Sequence, residues 1–244
     1  GEISDSFRAE ILQRGHWQKG TRIAVVTLAS NWDSSFISIN EAFRKLTNED
    51  CIPIDSVTIH NPAYLDSLRR ARFIYLGGGD QVLFMNRIVG TPVKKILQEA
   101  YQRGATIAGT SAGASVMSRL MVTGTSPRDS VSSTALKGIW HDAVDYATGL
   151  ALLDSVIIDQ HFVVRSRYNR LFTGMMDHPH CQAVGINEST AIVVQARRAS
   201  VIGESQVIVL QKPKGIRQLQ DGNLGAQKIE LAVYLPGDSF SILQ

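Results

Sequence analysis

The sequence has little that is typical of membrane, disulfide-rich or nucleic-acid-binding proteins. Its 244 residues include two cysteines, Cys51 and Cys181, too few for a disulfide framework or for a zinc site on their own. No apolar run approaches the roughly 20 residues that a membrane span requires. The 25 basic and 22 acidic residues leave a net charge of +3, and no basic block concentrates it. We therefore predict neither a nucleic-acid partner nor a membrane partner.

Composition also sets expectations for size and compartment. A hydrophobic content of 44% excludes a disordered chain, and the length favours a single domain over residues 1–244. The low cysteine content favours the cytoplasm. The chain starts at Gly1 without a methionine or a signal-like segment. We therefore expect that residues were trimmed before it, and a secreted form is the alternative.

Short apolar runs alternate with amphipathic segments in the first half of the chain. Residues 23–29 form a β-branched run typical of a buried parallel strand. This alternation, with short connections, predicts an α/β fold whose parallel sheet is covered on both faces. After residue 157, closely spaced strands are predicted instead, antiparallel in part. A helix is predicted after residues 30–33, because Phe36, Ile39, Phe43 and Leu46 recur at steps of three and four. The other predicted elements are strands over 51–59, 73–76, 106–108, 183–186, 191–195, 200–202 and 207–210, and helices over 63–70, 93–103 and 112 to about 120.

The segment Gly109-Thr-Ser-Ala-Gly113 follows a predicted strand and begins a predicted helix. A serine on such a turn usually needs a positive φ, and its small neighbours let the turn close. Its hydroxyl would stand above the sheet at a helix N-terminus, where N–H groups can stabilise an oxyanion. Ser111 is therefore a candidate nucleophile. The alternative is a glycine-rich turn that packs a helix or binds phosphate.

A serine nucleophile needs a base, and the base needs an orienting carboxylate. His161 follows the apolar segment 155–160, so it is expected at a strand end on the side of Ser111. The alternative is a buried structural histidine. Glu188 follows the apolar segment 183–186 and is the candidate carboxylate, with a solvated turn residue as the alternative.

Three arginines, Arg165, Arg167 and Arg170, follow His161 at the start of a predicted helix. Guanidinium groups spaced in this way can bind a carboxylate-bearing ligand through paired hydrogen bonds. The alternative is a solvated basic face.

Four separate segments carry a family resemblance: Gly78-Gly-Asp-Gln81, Gly109-Thr-Ser-Ala-Gly-Ala114, Asp159-Gln-His-Phe162 with the three arginines, and Gly185-Ile-Asn-Glu188 followed by Thr190-Ala191. In their order Ser, His, Glu they resemble the cyanophycinase branch of serine peptidase family S51. That family also contains aspartyl dipeptidases. The resemblance extends from about Ile23 to the segment Leu235-Pro-Gly-Asp-Ser-Phe240, nearly the whole chain.

The resemblance implies a serine exopeptidase on a three-layer α/β/α sandwich with a mostly parallel central sheet, like that of class I glutamine amidotransferases. Ser111 matches the nucleophile, His161 the general base and Glu188 its carboxylate partner. Backbone N–H groups of Ala112 and of the Gly78–Gly79 turn match the oxyanion hole. The positions that match the substrate pocket are Gln81, Asp159, Gln160, Arg165, Arg167 and Arg170.

The implied reaction is hydrolysis of isoaspartyl (β-aspartyl) peptides, such as the β-Asp-Arg units of cyanophycin. It needs no cofactor and no metal ion, and relatives suggest a homodimer. The alternatives are an α-aspartyl dipeptidase and a catalytically silent peptide-binding module. Gln160 favours the cyanophycinase-like activity on β-aspartyl peptides, because α-aspartyl dipeptidases usually carry a proline at this position.

Three features depart from the family pattern. The first strand of the family, with its Gly-Gly-Glu end, is missing or reduced to Gly1-Glu2. Asn187 stands where an aspartate is expected before the glutamate. Residues 126–146 match nothing in the pattern, and we expect that they could shape a different pocket.

Overall fold

The computed structural model describes residues 3–31, 34–127 and 135–243, and the chain divides into two compact units. The N-terminal unit comprises Glu2–Met117 and Leu150–Leu152, and the C-terminal unit comprises Ser118–Gly149 and Leu153–Gln244. Among the described residues, no helix has the length and apolar character needed to cross a membrane. A single domain over 1–244 stays a prediction.

A four-stranded, wholly parallel sheet forms the centre of the N-terminal unit, in the order β2-β1-β3-β4. Every residue of β1 and β3 is buried, as predicted for strands covered on both faces. The strands are β1 (Ala24–Val26), β2 (Ile52–Ile54), β3 (Phe73–Leu76) and β4 (Thr106–Gly109), and the described helices are α1 (Asp5–Arg14), α2 (Ser34–Thr47), α3 (Pro62–Arg70), α4 (Gln81–Ile88), α5 (Val93–Gln102) and α6 (Ala112–Ser115).

Three elements of this unit are shorter than predicted by several residues, the first being β1, predicted over 23–29 and observed as Ala24–Val26. The strand predicted over 51–59 ends at Ile54, because the Asp55 side chain accepts hydrogen bonds from the backbone N–H groups of residues 57 and 58 and starts a turn. The helix predicted from 112 to about 120 ends at Ser115. The next two carbonyls, of Val116 and Met117, accept from the N–H groups of Leu150 and Leu152 instead.

The C-terminal unit contains a mixed sheet in the order β14-β11-β8-β7, in which β7 and β8 are parallel and the other pairs antiparallel. The strands predicted in the second half of the chain are present. The elements are β5 (Leu120–Val122), β6 (Tyr146–Thr148), β7 (Val156–Gln160), α7 (Tyr168–Asp177), β8 (Gln182–Ile186), β9 (Thr190–Gln195), β10 (Arg198–Gly203), β11 (Val207–Lys214), β12 (Arg217–Gln218), β13 (Leu224–Gly225), β14 (Lys228–Tyr234) and β15 (Ser239–Ser241).

Helix α7 covers one face of this mixed sheet. Its Leu171 and Met175 are buried in one cluster with Phe162 and Ile208. A side chain at Gly185 would meet the Phe162 ring at 2.5 Å, so only glycine lets the ring lie flat on β8. The mixed α/β class with a parallel sheet is therefore confirmed.

Two of the sequence departures fall partly or wholly outside the described residues. Gly1 and Glu2, the possible remnant of a first strand, lie outside them, as do residues 128–134 of the unmatched segment 126–146. In the described part of that segment, Leu136, Ala143 and Val144 pack against Ile157 of the C-terminal unit. A pocket formed by the segment stays a prediction.

Both cysteines are buried, unpaired thiols. Burial raises the pKa of Cys51 to about 11, and it also raises the pKa of Cys181. Neither thiol is a good nucleophile at neutral pH, because the thiolate is the reactive form.

Candidate active site

Ser111 lies on a strained turn between β4 and α6 in the N-terminal unit. Its φ of 52° is positive, as the nucleophile-elbow hypothesis requires. The Ser111 carbonyl accepts from the N–H groups of Ala114 and Ser115, so the turn passes directly into α6. Since α6 is a single turn, its dipole is weaker than that of the predicted longer helix, and individual N–H groups become more important.

The two glycines around Ser111 allow the backbone to approach closely. A Cβ at Gly109 would lie 2.3 Å from the carbonyl oxygen of Gly113, and one at Gly113 would lie 2.2 Å from that of Leu76. Both distances are far inside van der Waals contact. The Gly-x-Ser-x-Gly spacing therefore has a steric cause in this fold.

The turn between β3 and α4 brings Gly78 against Ser111 within the N-terminal unit. A Cβ at Gly78 would lie 3.4 Å from Cβ of Ser111. Gly79 has a φ of 134°, and its Cβ would lie 2.1 Å from the carbonyl oxygen of Ala29. Asp80 caps α4 by accepting from the N–H groups of residues 82 and 83, and Gln81 is buried at the first position of that helix. The structure thus places Gly78 beside the nucleophile candidate.

His161 and Glu188 meet in the C-terminal unit. They follow the neighbouring parallel strands β7 and β8, which pair Gln160 with Ile186 at their carboxyl ends. Nδ1 of His161 forms a hydrogen bond with Oε1 of Glu188. The Glu188 carbonyl accepts from the Thr190 hydroxyl at 2.9 Å, which fixes the turn that carries the carboxylate. The predicted base and carboxylate are therefore neighbours.

The surroundings of His161 favour its neutral form. Burial lowers its pKa below the ordinary value of 6.5, while the hydrogen bond and charge of Glu188 act in the opposite direction. The positive charges of Arg165 and Arg167 lower it further. For Glu188, burial would raise the pKa, but the net shift is downward, and its hydrogen bond with His161 is among the causes. At neutral pH, both shifts favour a neutral imidazole beside an ionised carboxylate.

Asn187 does not supply a second carboxylate next to Glu188. Its side-chain amide donates to the Ser205 hydroxyl at 2.7 Å, and its backbone N–H donates to the carbonyl of Gln206, the residue before β11, at 3.3 Å. The substituted position is thus part of the turn that leads to Glu188.

Two of the three predicted pocket arginines are buried in an ion-pair cluster. Asp159 is 1% exposed and accepts Nε of Arg170 at 2.7 Å, with a second bond from the same guanidinium. Arg167 donates Nη1 to Asp159 and to the carbonyl and side chain of Gln160. Burial, followed by the charge of Arg170, lowers the pKa of Arg167 to about 10. The sequence predicted Asp159, Arg167 and Arg170 as substrate-binding residues but did not predict that they pair with one another.

Arg165 differs from the other two because it is exposed in the turn before α7. Arg167 is the residue that precedes α7, so only Arg170 lies inside the helix. Two guanidinium groups around one carboxylate leave the buried cluster with an excess positive charge. Nε of Arg167 has no hydrogen-bond partner among the described residues.

A second polar cluster lies at the other end of α7. His141, Asp142 and Asp177 bring three possible metal-ligand atoms together, the one such group found among residues 3–31, 34–127 and 135–243. Nδ1 of His141 lies 2.7 Å from Oδ1 of Asp177. No ligand spacing in the sequence indicates this group, because Asp177 lies 36 residues from His141. The absence of a metal requirement stays a prediction.

Comparison with known families decides how this arrangement is classified. A model of peptidase family S51 matches residues 6–202. The chain belongs to peptidase family S51. The family predicted from the four sequence motifs is confirmed.

Two curated relatives to which the chain is similar are named cyanophycinases. The chain is 32% identical to that of Trichormus variabilis over 186 residues, which are 73% of this chain and 59% of the relative. It is 31% identical to that of Geminocystis herdmanii over 213 residues, which are 82% of this chain and 74% of the relative. The match therefore spans somewhat over half of the first relative and about three quarters of the second.

Solved structures support the fold of this S51 member. A peptidase from an acI-B1 actinobacterium has a TM-score of 0.68 and 19% identity, covering 98% of this chain and 91% of that one. A putative peptidase E from Listeria monocytogenes has a TM-score of 0.57 and 17% identity, covering 81% and 93%.

Proposed function

We propose that the chain is a serine exopeptidase that hydrolyses isoaspartyl (β-aspartyl) peptides, such as the β-Asp-Arg units of cyanophycin. Ser111 is the nucleophile, His161 the general base and Glu188 the carboxylate that orients it. The observation that carries the proposal is the His161–Glu188 hydrogen bond at Nδ1. It favours the tautomer whose Nε2 lone pair can accept the serine proton.

The proposed reaction has two halves. Ser111 Oγ attacks the scissile carbonyl while Nε2 of His161 takes its proton, and Glu188 stabilises the resulting imidazolium. Backbone N–H groups of Gly78, Gly79 and Ala112 stabilise the oxyanion. His161 then protonates the leaving amine, and water hydrolyses the acyl-enzyme with His161 again as the base. No step uses a metal ion or a cofactor.

The substrate-binding residues in this proposal are the six predicted from the sequence. A β-linked aspartyl residue carries a free α-carboxylate beside the scissile bond, whereas an α-linked residue presents its carboxylate on the side chain. The excess positive charge around Asp159 favours an anionic ligand. We assign direct contact with that carboxylate to the exposed Arg165, with Gln81, Gln160, Arg167, Arg170 and Asp159 completing the pocket.

Broader features of the proposal follow the family. We propose the three-layer α/β/α sandwich of class I glutamine amidotransferases, a single domain over 1–244, a homodimer and a cytoplasmic location. The proposed sandwich gains support from the parallel sheet of the N-terminal unit and from the solved structures above.

A hydrolysis panel tests the proposed activity. The parent protein, Ser111→Ala and the control Ser67→Ala are assayed on β-Asp-Arg, β-Asp-Lys, β-Asp-Leu and α-Asp-Arg. Ser67 is a half-buried serine of α3 whose hydroxyl donates to the carbonyl of Ala63, outside the proposed site, so its substitution should leave the rate unchanged. We expect cleavage of β-Asp-Arg, and a loss of about 10⁴-fold or more in kcat for Ser111→Ala.

Each alternative has its own outcome in this panel. Faster cleavage of α-Asp-Arg than of β-Asp-Arg contradicts the linkage preference and favours an α-aspartyl dipeptidase. Binding of β-Asp-Arg without cleavage favours the silent binding module. A folded Ser111→Ala protein with activity within tenfold of the parent contradicts the assignment of the nucleophile.

A further inference from the structure

Arg87 on α4 forms three hydrogen bonds with the chain that follows β1. Its Nη1 donates to the carbonyl of Leu28 at 2.9 Å and to that of Ser30 at 2.5 Å. Its Nη2 donates to the Asn31 side chain. Leu28 is fully buried, so its carbonyl depends on this guanidinium rather than on water.

The residue between these two carbonyls contacts the Gly78–Gly79 turn. The carbonyl of Ala29 accepts from the N–H of Asp80 at 2.8 Å. The same carbonyl oxygen would lie only 2.1 Å from a Cβ at Gly79, so the two backbone segments pack directly against each other. Three consecutive carbonyls, of residues 28, 29 and 30, are thus held by α4 and by the turn that begins it.

This direct contact couples the position of the 28–30 segment to the position of the Gly78–Gly79 turn. Because no side chain separates Ala29 from Gly79, a shift of the 28–30 segment must move the turn. The same turn places Gly78 beside Ser111. All of these residues belong to the N-terminal unit.

We propose that Arg87 is a positioning residue that holds the backbone donors of Gly78 and Gly79 in place for the oxyanion. This inference rests on the proposed function for the oxyanion role, whereas its structural half can be measured without activity. A guanidinium is suited to the task because its planar fork reaches two carbonyls and an amide at once.

The expected effect of Arg87→Gln is on kcat rather than on KM. Loss of one oxyanion donor costs about 10²–10³-fold in kcat, and a misplaced donor costs less. We therefore expect a fall of about 10- to 100-fold in kcat, with KM within about threefold. Arg87→Lys keeps a charged donor but not the fork, so its kcat should lie between those of the parent and Arg87→Gln.

The test combines kinetics on β-Asp-Arg with hydrogen exchange of the peptide covering residues 77–83. Arg103→Gln is the matched control, since Arg103 also donates to one backbone carbonyl, that of Arg69, in the same unit. The expected result is lower kcat and faster exchange in residues 77–83 for Arg87→Gln, with parental behaviour for Arg103→Gln. If Arg87→Gln does not fold, Arg87→Lys takes its place with the same readouts.

Several results would overturn the inference. Parental kcat in a folded Arg87 variant does so, and so does a fall in kcat with unchanged exchange of residues 77–83. A parent protein that cleaves no substrate contradicts the proposed function instead. In that case exchange alone decides, and unchanged protection of residues 77–83 in Arg87→Gln refutes the positioning role.

Discussion

The buried cluster around Asp159 leads to a quantitative prediction about stability. Asp159→Asn keeps the size of the side chain but removes the charge that balances Arg167 and Arg170. Both guanidinium groups are about nine-tenths buried or more. They would therefore lose their counter-charge without gaining contact with water.

Removing one partner of a buried ion pair typically costs 3–5 kcal/mol, because the remaining charge is left uncompensated. Asparagine still offers one acceptor oxygen, so we expect about 3 kcal/mol of lost unfolding free energy. With a urea m-value of about 2 kcal/mol/M, the midpoint of unfolding should fall by about 1.5 M.

Asp154→Asn is the matched control in the same unit. Asp154 accepts a hydrogen bond from Nε of Arg119 at 2.9 Å, which is the same kind of carboxylate–guanidinium pair. The side chains of both residues are more than half exposed. Exposed pairs contribute about 0–1 kcal/mol, so this variant should unfold close to the parent.

Urea unfolding followed by circular dichroism measures both variants, and hydrogen exchange in β7 shows whether the loss is local to Asp159. A further check is the double variant Asp159→Leu with Arg170→Met. It removes two opposite charges together and should be more stable than the sum of its single variants predicts. Asp159→Asn within 1 kcal/mol of the parent, or equal to Asp154→Asn, would refute the reasoning.

Four further predictions concern catalysis. The rate should fall at acid pH as His161 gains a proton, with a midpoint below the ordinary 6.5, because burial lowers its pKa. Glu188→Gln removes the carboxylate whose hydrogen bond and charge raise the pKa of His161, so the midpoint of a kcat/KM profile should move to still lower pH. The same substitution should lower kcat about 10²–10⁴-fold. A midpoint that moves to higher pH contradicts the pairing of His161 with Glu188. Arg165→Gln should lower kcat/KM about 10- to 100-fold on β-Asp-Arg and by a smaller factor on α-Asp-Arg. Arg165→Lys should restore little of this activity, because lysine keeps the charge but not the planar fork. Equal losses on both peptides contradict the contact between Arg165 and the substrate carboxylate. Hydrolysis should persist after dialysis against EDTA, and a loss restored by a divalent metal contradicts the metal-free mechanism.

The sequence predicted those parts of the site that are determined by residues close together in the chain. Gly109 and Gly113 are needed within one turn, so their spacing identifies the elbow around Ser111. His161 and Glu188 each follow an apolar strand, and the parallel pairing of β7 with β8 brings those strand ends together.

The contacts that were not predicted depend on packing between distant segments. Arg170 reaches Asp159 only because α7 packs back over β7, and Arg87 contacts carbonyls 57 and 59 residues away. The predicted length of α6 was wrong for a related reason. Carbonyls that would extend the helix bond to Leu150 and Leu152, which no local propensity reveals.

The burial of both native thiols makes the chain suitable for site-specific labelling. A thiol with a pKa of about 11, like that of Cys51, is ionised in roughly one molecule in 10⁴ at pH 7. A maleimide dye should therefore react with a cysteine introduced at the surface while Cys51 and Cys181 stay unmodified. Val57 in the N-terminal unit and Leu219 in the C-terminal unit are 79% and 62% exposed. A fluorophore at either position would report on its own unit alone, for example on the unfolding of that unit in urea, in a chain that keeps both natural cysteines.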